Sequence, residues 1–236
     1  MNKRAPPRNK WYRHGLHQCF KFNNIVGKGI TELIHQHFFP PNWKLYQMAG
    51  KQGQGAKGGC RVDSELKDWI KWQAKPKVAM RHLQKYSAYT VQIIRELKRR
   101  GLRAVAAQVV VGNVPTRVAT AIDLLVADLS GNLGIWEIKS GYADTFEAES
   151  PTKMKTPIPR AEQKVAFESL SANPLHFSLV QLVLTWILWC RTYPKKNISH
   201  RNACVVNVNA SGVRLYSIPP VMGCEIYTQL KCLGLV

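Results

Sequence analysis

Five segments of the chain carry the short runs of Val, Ile, Leu and Ala that are typical of β-strands. They are residues 104–111, 117–128, 134–139, 203–209 and 213–218. The first three follow one another with short polar breaks, and Ala210-Ser211-Gly212 separates the last two. Because short glycine-containing breaks connect antiparallel strands, the pattern predicts a sheet that ends in a hairpin.

Apolar residues at helical spacing occur before and after the first three strands. Val62, Leu66 and Trp69 predict a first helix over residues 62–72. Further helices are predicted over residues 88–100, 161–170 and 175–191. The order of helix, three strands, helix and strand predicts an α/β domain.

Gln181 lies in the most apolar of these helices. The run FSLVQLVLTWILWC, residues 177–190, is apolar nearly all round, which is typical of a helix packed inside a domain. It is shorter than a bilayer span. A buried glutamine needs a hydrogen-bond partner, either a backbone carbonyl or a functional side chain.

Charged residues interrupt two of the predicted strands. Asp123 lies in an otherwise apolar run, and Glu137 and Lys139 are two residues apart, so their side chains share one face of the next strand. If Ser130-Gly131-Asn132 closes a hairpin, Asp123 becomes a cross-strand neighbour of Glu137. Two adjacent carboxylates favour a divalent cation such as Mg²⁺ or Mn²⁺. The alternative is a solvent-facing strand, but an unpaired aspartate in so apolar a run would be costly.

Four short motifs occur in order along the chain. They are Gly59-Cys60-Arg61-Val62-Asp63, Ile122-Asp123-Leu124, Glu137-Ile138-Lys139-Ser140-Gly141 and Gln181-Leu182-Val183-Leu184-Thr185. As a set they resemble the PD-(D/E)XK nuclease superfamily, in the branch that includes RecB-type nuclease domains and lambda exonuclease. The resemblance implies a restriction-endonuclease-like α/β core, in which helices flank a central mixed β-sheet in the order αβββαβ.

The resemblance also implies a role for each catalytic side chain. Asp123 and Glu137 would bind Mg²⁺ or Mn²⁺, Lys139 would assist the attacking water or the transition state, and Gln181 would position Lys139. A further metal ligand would come from the first helix. Asp63 and Glu65 are the two candidates for that ligand, and the sequence leaves the choice open.

DNA contacts are expected close to these motifs. The candidates are Lys57, Arg61, Ser140 and Thr185. Thr185 stands where the family has a tyrosine, and Trp186 is adjacent to it. The resemblance therefore predicts a DNA contact at the end of the glutamine motif, with a different side chain.

The charge of the chain predicts a polyanionic partner. Lys and Arg number 34 against 14 Asp and Glu, which gives a net charge of +20. Such an excess predicts salt-sensitive and largely sequence-independent binding to nucleic acid. We find no basic amphipathic helix with a broad apolar face and no lipidation signal, so a membrane is not expected as a partner.

Cysteine spacing and the N-terminal sequence predict an intracellular protein. The 6 cysteines include no C-x-x-C pair, and no secretory apolar region follows the start. We therefore expect reduced thiols and a location in the nucleus or at a site of DNA replication, with a virus or mobile element among the possible sources. A second copy of the chain or a replication or recombination protein remains open as a partner.

Charge also divides the chain into two predicted parts. Residues 1–58 are rich in Lys, Arg and aromatic residues and predict a basic N-terminal extension that stacks on bases, anchors to the domain or acts as an import signal. Residues 59–236 form the predicted nuclease domain. Residues 142–160 are polar and proline-containing and predict a loop beside the active site.

The sequence predicts a Mg²⁺-dependent deoxyribonuclease of DNA replication, recombination or repair. Whether it degrades DNA from ends or acts as a structure-specific endonuclease is left open, and RNA is not excluded as a substrate. The alternative is a basic DNA-binding protein that retains a nuclease-like fold without catalysis.

Overall fold

The computed structural model describes residues 11–14, 19–23, 25–41, 54–142, 145–157 and 167–236. The strands are β1 Trp11–His14, β2 Cys19–Phe22, β3 Ile25–Gly29, β4 Arg103–Asn113, β5 Val118–Ala127, β6 Leu133–Ser140, β7 Cys204–Asn209 and β8 Gly212–Ser217. The helices are α1 Ile30–Phe38, α2 Gln54–Trp72, α3 Pro76–Leu83, α4 Ala88–Arg99, α5 Pro174–Thr192 and α6 Pro220–Cys232. Together these elements make an α/β fold with helices packed around a mixed sheet.

All the described strands join one 8-stranded sheet. β5 pairs antiparallel with β4 and β6, β6 pairs parallel with β7, and β7 pairs antiparallel with β8. β1, β2 and β3 form an antiparallel ribbon, and β3 runs parallel to the start of β5. The parallel pairing of β6 with β7 requires a crossover connection, which α5 supplies.

The strand that pairs with one edge of β5 changes at Asp123. β4 pairs with β5 along its length, so β3 and β6 must share the other edge of β5. β6 pairs with residues 124–127 of β5, and β3 pairs with Val118 and Ala119. Asp123 therefore lies between the part of β5 that pairs with β6 and the part that pairs with β3.

Helices cover the two faces of the sheet. One apolar cluster joins α1 and α5 to Leu125, Ile135 and Val205. The other joins α2 and α4 to Leu124, Trp136 and Val206. Because neighbouring strand residues point to opposite faces, α2 and α5 lie on opposite sides of the sheet.

Strict alternation along β5 fails at Asp123. Ile122 and Leu125 both join the cluster under α5, whereas an unbroken strand would turn them to opposite faces. Gln108 lies opposite Asp123 on β4, by continuation of the register from Ala107↔Leu124 and Val109↔Ile122, and has a left-handed φ of 56°. We attribute the change of face along β5 to the irregular backbone of β4 at Gln108.

From residue 54 onward, the predicted strands and the helices predicted over 62–72, 88–100 and 175–191 are confirmed, and the structure differs from the prediction at three points. The first helix begins at Gln54, earlier than predicted, and α3 and α6 are additional helices that begin with proline in the first turn. In the helix predicted over 161–170, residues 161–166 lie outside the described residues, and Phe167–Ser169 form only a short 3₁₀ turn.

Part of the segment predicted as a basic N-terminal extension packs against the domain. β3 joins the central sheet, and α1 buries Ile30, Ile34 and Phe38 in the same apolar cluster as α5. The segment 25–39 is therefore part of the fold. The sequence prediction emphasised the charge of the segment, whereas its apolar residues determine where it packs.

Among the described helices, α5 alone has the length and composition of a membrane span. It is longer than the apolar run 177–190, but 61% of its apolar window is buried within the protein. This burial is typical of the core helix predicted from the sequence.

Candidate active site at the fork of the sheet

The carboxylate of Asp123 is held from two sides where β5 and β6 separate. The backbone N–H of Ile138 donates to Oδ2 at 2.9 Å, and Nε2 of Gln108 donates to Oδ1 at 3.2 Å. The first bond uses an N–H of β6 beyond the end of its pairing with β5. Each oxygen of Asp123 thus has a donor that restricts its orientation.

Glu137 lies opposite Asp123 by continuation of the Leu124↔Trp136 register, and its side chain is 1% exposed. Its Oε1 accepts a hydrogen bond from Nζ of Lys139 at 2.8 Å. Its Oε2 is buried, and no N–H or O–H group of the described residues donates to it, while the carboxylate of Asp123 lies beside the Glu137 side chain. A buried carboxylate oxygen without a donor is costly, so this atom indicates a site for a cation or a donor from outside the chain.

Lys139 connects the carboxylates to α5. Its Nζ also donates to Oε1 of Gln181 at 3.0 Å, and its side chain is 14% exposed. An ammonium group has three donors, and the contacts with Glu137 and Gln181 use two of them. The arrangement agrees with the predicted placement of a lysine supported by the helix glutamine.

The electrostatics of the cluster are those of an incompletely neutralised negative site. Burial raises the pKa of Glu137, and the charge of Asp123 raises it further, against the opposing effect of Lys139. Burial lowers the pKa of Lys139, but the charges of Glu137 and Asp123 outweigh it and leave that pKa raised. When all three side chains are charged, they carry a net charge of −1.

This donor set fits a hard divalent cation. Carboxylate oxygens from Asp123 and Glu137 are ligands that Mg²⁺ and Mn²⁺ prefer, and such ions retain waters when proteins provide few ligands. The unpartnered Oε2 of Glu137 provides an oxygen that no protein donor occupies. The two residues predicted as strand ligands are therefore brought together by the fold.

Glu65 is engaged in a different contact. Its Oε2 accepts from the backbone N–H of Ser87 at 2.9 Å, from Oγ of Ser87 at 2.6 Å and from Oγ1 of Thr90 at 2.6 Å. Arg61 donates to its Oε1 at 2.8 Å. Glu65 therefore joins α2 to the start of α4, and the predicted role as a metal ligand does not agree with this placement.

Asp63 lies on α2, which packs on the opposite face of the sheet from α5 and Gln181. Within the described ranges, no group of three or more His, Cys, Asp and Glu side chains is close enough to bind one ion. The third ligand predicted from the first helix, with Asp63 as a candidate, therefore stays a prediction. The sequence could indicate the helix but not the face on which it packs.

The predicted DNA contacts have different environments. Arg61 is exposed and paired with Glu65, whereas the side chain of Lys57 lies outside the described residues. Ser140 is buried, and a methyl group added to Gly59 would lie 3.8 Å from its Oγ. Thr185 is fully buried within α5, so its side chain does not reach a surface where DNA could bind.

Two polar residues near the cluster were not predicted from the sequence. Gln108 binds Asp123, as described above. Asn207 is the register partner of Lys139, is 2% exposed, and has a buried Oδ1 without a partner among the described residues. The signal that could have identified both is an isolated amide side chain in an otherwise apolar strand.

The sequence was also compared with known proteins. No model of a known protein family matches the chain, and no curated protein matches it significantly. The functional interpretation therefore depends on the chemistry and geometry of the side chains themselves.

Proposed function

We propose that this chain is a divalent-metal-dependent nuclease that hydrolyses phosphodiester bonds of DNA. The observation that carries the proposal is that the carboxylates of Asp123 and Glu137 lie together beside a lysine ammonium, with no N–H or O–H donor of the described residues on the buried Oε2 of Glu137. If the ion pair between Glu137 and Lys139 served only to stabilise the fold, the second carboxylate, that of Asp123, would not be needed beside it. Two carboxylates and one ammonium group have a net charge of −1, which a cation bound between them would neutralise.

Each side chain has a distinct role in this proposal. Asp123 and Glu137 would hold the cation, which when bound would polarise the phosphate and lower the pKa of a water molecule. Lys139 has a donor available for a phosphate oxygen or the attacking water. Gln181 fixes the ammonium through its 3.0 Å hydrogen bond, which keeps this donor directed at the cluster.

The net charge of +20 supports a polyanionic substrate. DNA is the proposed partner, and the proposed location is intracellular, at a site of DNA replication, recombination or repair. The mode of cleavage can be exonucleolytic or structure-specific, since both are compatible with this set of side chains.

Isosteric variants test the proposal. The purified protein, Asp123→Asn and Lys139→Met are incubated with closed circular DNA and with end-labelled linear DNA, each with Mg²⁺, Mn²⁺ or a chelator. We expect metal-dependent cleavage by the unmodified protein and at least about a 100-fold loss in both variants, because each removes a charge used at the reacting phosphate. The exposed Glu149→Gln is the control and should cleave normally.

Full activity of Asp123→Asn or Lys139→Met would contradict the proposed site. Binding of DNA without cleavage under every metal condition would instead favour the non-catalytic DNA-binding protein. Degradation confined to the linear substrate would identify an exonuclease, and cleavage of the circular substrate would identify an endonuclease.

A further inference from the structure

Exposed cations follow α2 and continue onto α3 and the turn after it. We call this set the basic tract: Lys67, Lys71, Lys75, Lys77, Arg81 and Lys85. Within the described residues, none of the six forms an ion pair with a carboxylate. Their positive charges are therefore not neutralised by direct contacts in the described structure.

The helical spacing of α2 accounts for this exposure. Val62, Leu66 and Trp69 are buried against the sheet and α4. Lys67 and Lys71 are four residues apart and point away from that apolar face, toward solvent. The two lysines are thus presented side by side on the outer surface of the helix.

The nearby carboxylates of Asp68 and Glu65 are engaged in contacts between helices. Asp68 accepts hydrogen bonds from Nδ1 of His82 at 2.6 Å, from the Tyr86 hydroxyl at 2.7 Å and from the Trp72 indole at 3.1 Å. Glu65 is bound to the start of α4. The acids therefore stabilise the packing between helices and leave the outer surface to the cations.

These same contacts fix α3 against α2. The Trp72 and His82 rings are stacked with centroids 5.3 Å apart, and Nζ of Lys75 lies 5.5 Å from the centroid of the Trp72 ring. Asp68 holds both rings by hydrogen bonds. The cations of α3 are consequently held in a defined position beside those of α2.

The basic tract is connected by α2 to the strand that carries Glu137 and Lys139, on the face of the sheet opposite to their side chains. The helix passes the active-site strand at Gly58 and Gly59, where added methyl groups would lie 3.9 and 3.8 Å from Oγ of Ser140. Ser140 directly follows Lys139. From Gly59 to Lys71 the helix rises about 18 Å, which is the length of about five base pairs of duplex DNA.

We propose that the basic tract binds the phosphate backbone of the nucleic acid at a distance from the bond that is cleaved. The identity of the polyanion rests on the proposed function, whereas the position of the binding surface rests on the exposed cations of α2 and α3. The tract would hold the substrate by charge rather than by base sequence, since lysine ammonium groups contact phosphates without reading base edges.

An anionic membrane is the other polyanionic surface that such a tract could bind. Membrane-surface helices combine cations with a broad apolar face. On α2 and α3, Met80 is the large apolar residue that is mainly exposed among those described, at 54%. The surface therefore favours nucleic acid, and vesicle binding provides a direct comparison.

The experiment compares two triple variants with equal loss of charge. Lys67→Gln, Lys71→Gln and Lys75→Gln alter the tract, and Lys195→Gln, Arg201→Gln and Lys231→Gln alter exposed positions elsewhere. Binding to a fluorescein-labelled DNA duplex is followed by fluorescence anisotropy in a chelator over a range of salt concentrations. An RNA duplex and phosphatidylserine-containing vesicles are tested in parallel, and circular dichroism checks that each variant is folded.

We expect the tract variant to bind duplex DNA at least about 10-fold more weakly, with a salt slope reduced by about 0.9 for each phosphate that the variant no longer neutralises. The control variant should change affinity by less than about 3-fold. Equal loss in both variants, or none in the tract variant, would overturn the proposal. Loss of vesicle binding with unchanged nucleic-acid binding would also overturn it and assign the tract to a membrane.

The outcome is independent of catalysis, because binding is measured without metal. A protein that binds through the tract but never cleaves would support this inference and contradict the proposed function. A protein that cleaves with metal, but whose tract variant binds nucleic acid normally, would support the proposed function and contradict this inference. Comparison of the DNA and RNA duplexes identifies which phosphodiester backbone the tract binds more tightly.

Discussion

At the scale of single residues, burial of the Glu137 carboxylate is costly to the fold. The carboxylate is 1% exposed, lies beside Asp123, and has one oxygen without a donor. Lys139 neutralises only one of the two carboxylates. A site with this imbalance is less stable without a cation than with one, because a bound ion would provide the missing positive charge.

The variant Glu137→Gln is therefore expected to stabilise the metal-free protein. Glutamine keeps an acceptor for Lys139 and leaves one carboxylate opposite one ammonium. The pKa of Glu137 is raised by burial, so ionisation costs stability above its ordinary value of 4.5. We expect the free energy of unfolding, measured with urea in a chelator, to increase by at least about 1 kcal/mol at neutral pH. The increase should disappear below the ordinary pKa.

The same variant should also lose the stabilisation that Mg²⁺ or Mn²⁺ gives to the unmodified protein. The exposed Glu149→Gln serves as the control, with no change in either measurement. A destabilised metal-free Glu137→Gln protein would mean that the ion pair with Lys139 outweighs repulsion from Asp123. That result would contradict our account of the site.

Gln108 is the second residue whose local properties indicate a function. A left-handed backbone is uncommon for glutamine, and here it places Nε2 within 3.2 Å of Asp123. The amide holds one oxygen of the carboxylate while Ile138 holds the other. Partners of this kind orient a metal ligand without contacting the metal.

Two substitutions at Gln108 separate the hydrogen bond from the backbone strain. Gln108→Leu and Gln108→Gly both remove the donor, and we expect each to weaken Mn²⁺ binding by about 10- to 100-fold in calorimetry. Glycine adopts the left-handed φ freely, so Gln108→Gly should be the more stable of the two. Unchanged Mn²⁺ affinity in both variants would show that Gln108 does not position Asp123.

At the scale of elements, Glu65 connects α2 and α4, which pack in one apolar cluster on the same face of the sheet. Its carboxylate binds the backbone N–H of Ser87 and the buried hydroxyl of Thr90 in the first turn of α4. Ser87 is also the N-cap of that helix. One side chain from α2 therefore completes the cap of α4 and fixes the angle at which the helices meet.

The variant Glu65→Ala tests this role against the metal role predicted from the sequence. We expect a loss of about 1–3 kcal/mol in urea unfolding at neutral pH, because the donors of Ser87 and Thr90 lose their acceptor. Burial raises the pKa of Glu65, but its hydrogen bonds with Ser87, Thr90 and Arg61 lower it overall. The contribution is therefore present above the ordinary value of 4.5 and lost as the pH falls through the lowered pKa.

Metal affinity should be unchanged in Glu65→Ala, and this measurement separates the two interpretations. A large fall in Mn²⁺ affinity without a change in stability would restore Glu65 as a ligand. A fall in both would mean that the position of α2 influences the carboxylate cluster through the sheet.

The elements predictable from sequence are those whose pattern is local. Periodicity of apolar residues predicts β5, β6 and α5, and glycine at position 131 marks the turn that joins the two strands. The Asp123, Glu137 and Lys139 cluster follows from that hairpin. Asn207 could not be placed in the same way, because its position depends on the pairing of β6 with β7, which are distant in sequence. Gln108 is only 15 residues from Asp123, but its contact depends on a left-handed φ that apolar periodicity does not predict.

At the scale of the whole molecule, the fork in the sheet depends on the first strands of the chain. β3 pairs with Val118 and Ala119, on the part of the β5 edge that β6 leaves free. No local pattern predicts this, since β3 is short and its partner lies about ninety residues later. Part of the segment expected to be a basic extension instead joins the strand that carries Asp123.

Truncation at two points tests this view of the molecule. A protein beginning at Gly59 lacks β3 and α1, whereas one beginning at Ile25 keeps both. The shorter protein loses Ile30, Ile34, Phe38 and Phe39 from the core, and four such side chains contribute roughly 6–12 kcal/mol. Because domains are stable by only about 5–15 kcal/mol, we expect it to be unfolded or aggregated in circular dichroism and size-exclusion chromatography.

The protein beginning at Ile25 should remain folded, because it retains the pairing of β3 with β5 and the contacts of α1 with α5. It loses β1 and β2, so β3 becomes an exposed edge and some loss of thermal stability is expected. Its affinity for Mn²⁺ should remain close to that of the full chain, since the strands that carry Asp123 and Glu137 are intact. A stable, metal-binding protein beginning at Gly59 would contradict this argument, because it would show that β3 and α1 are appended to a domain that is already complete.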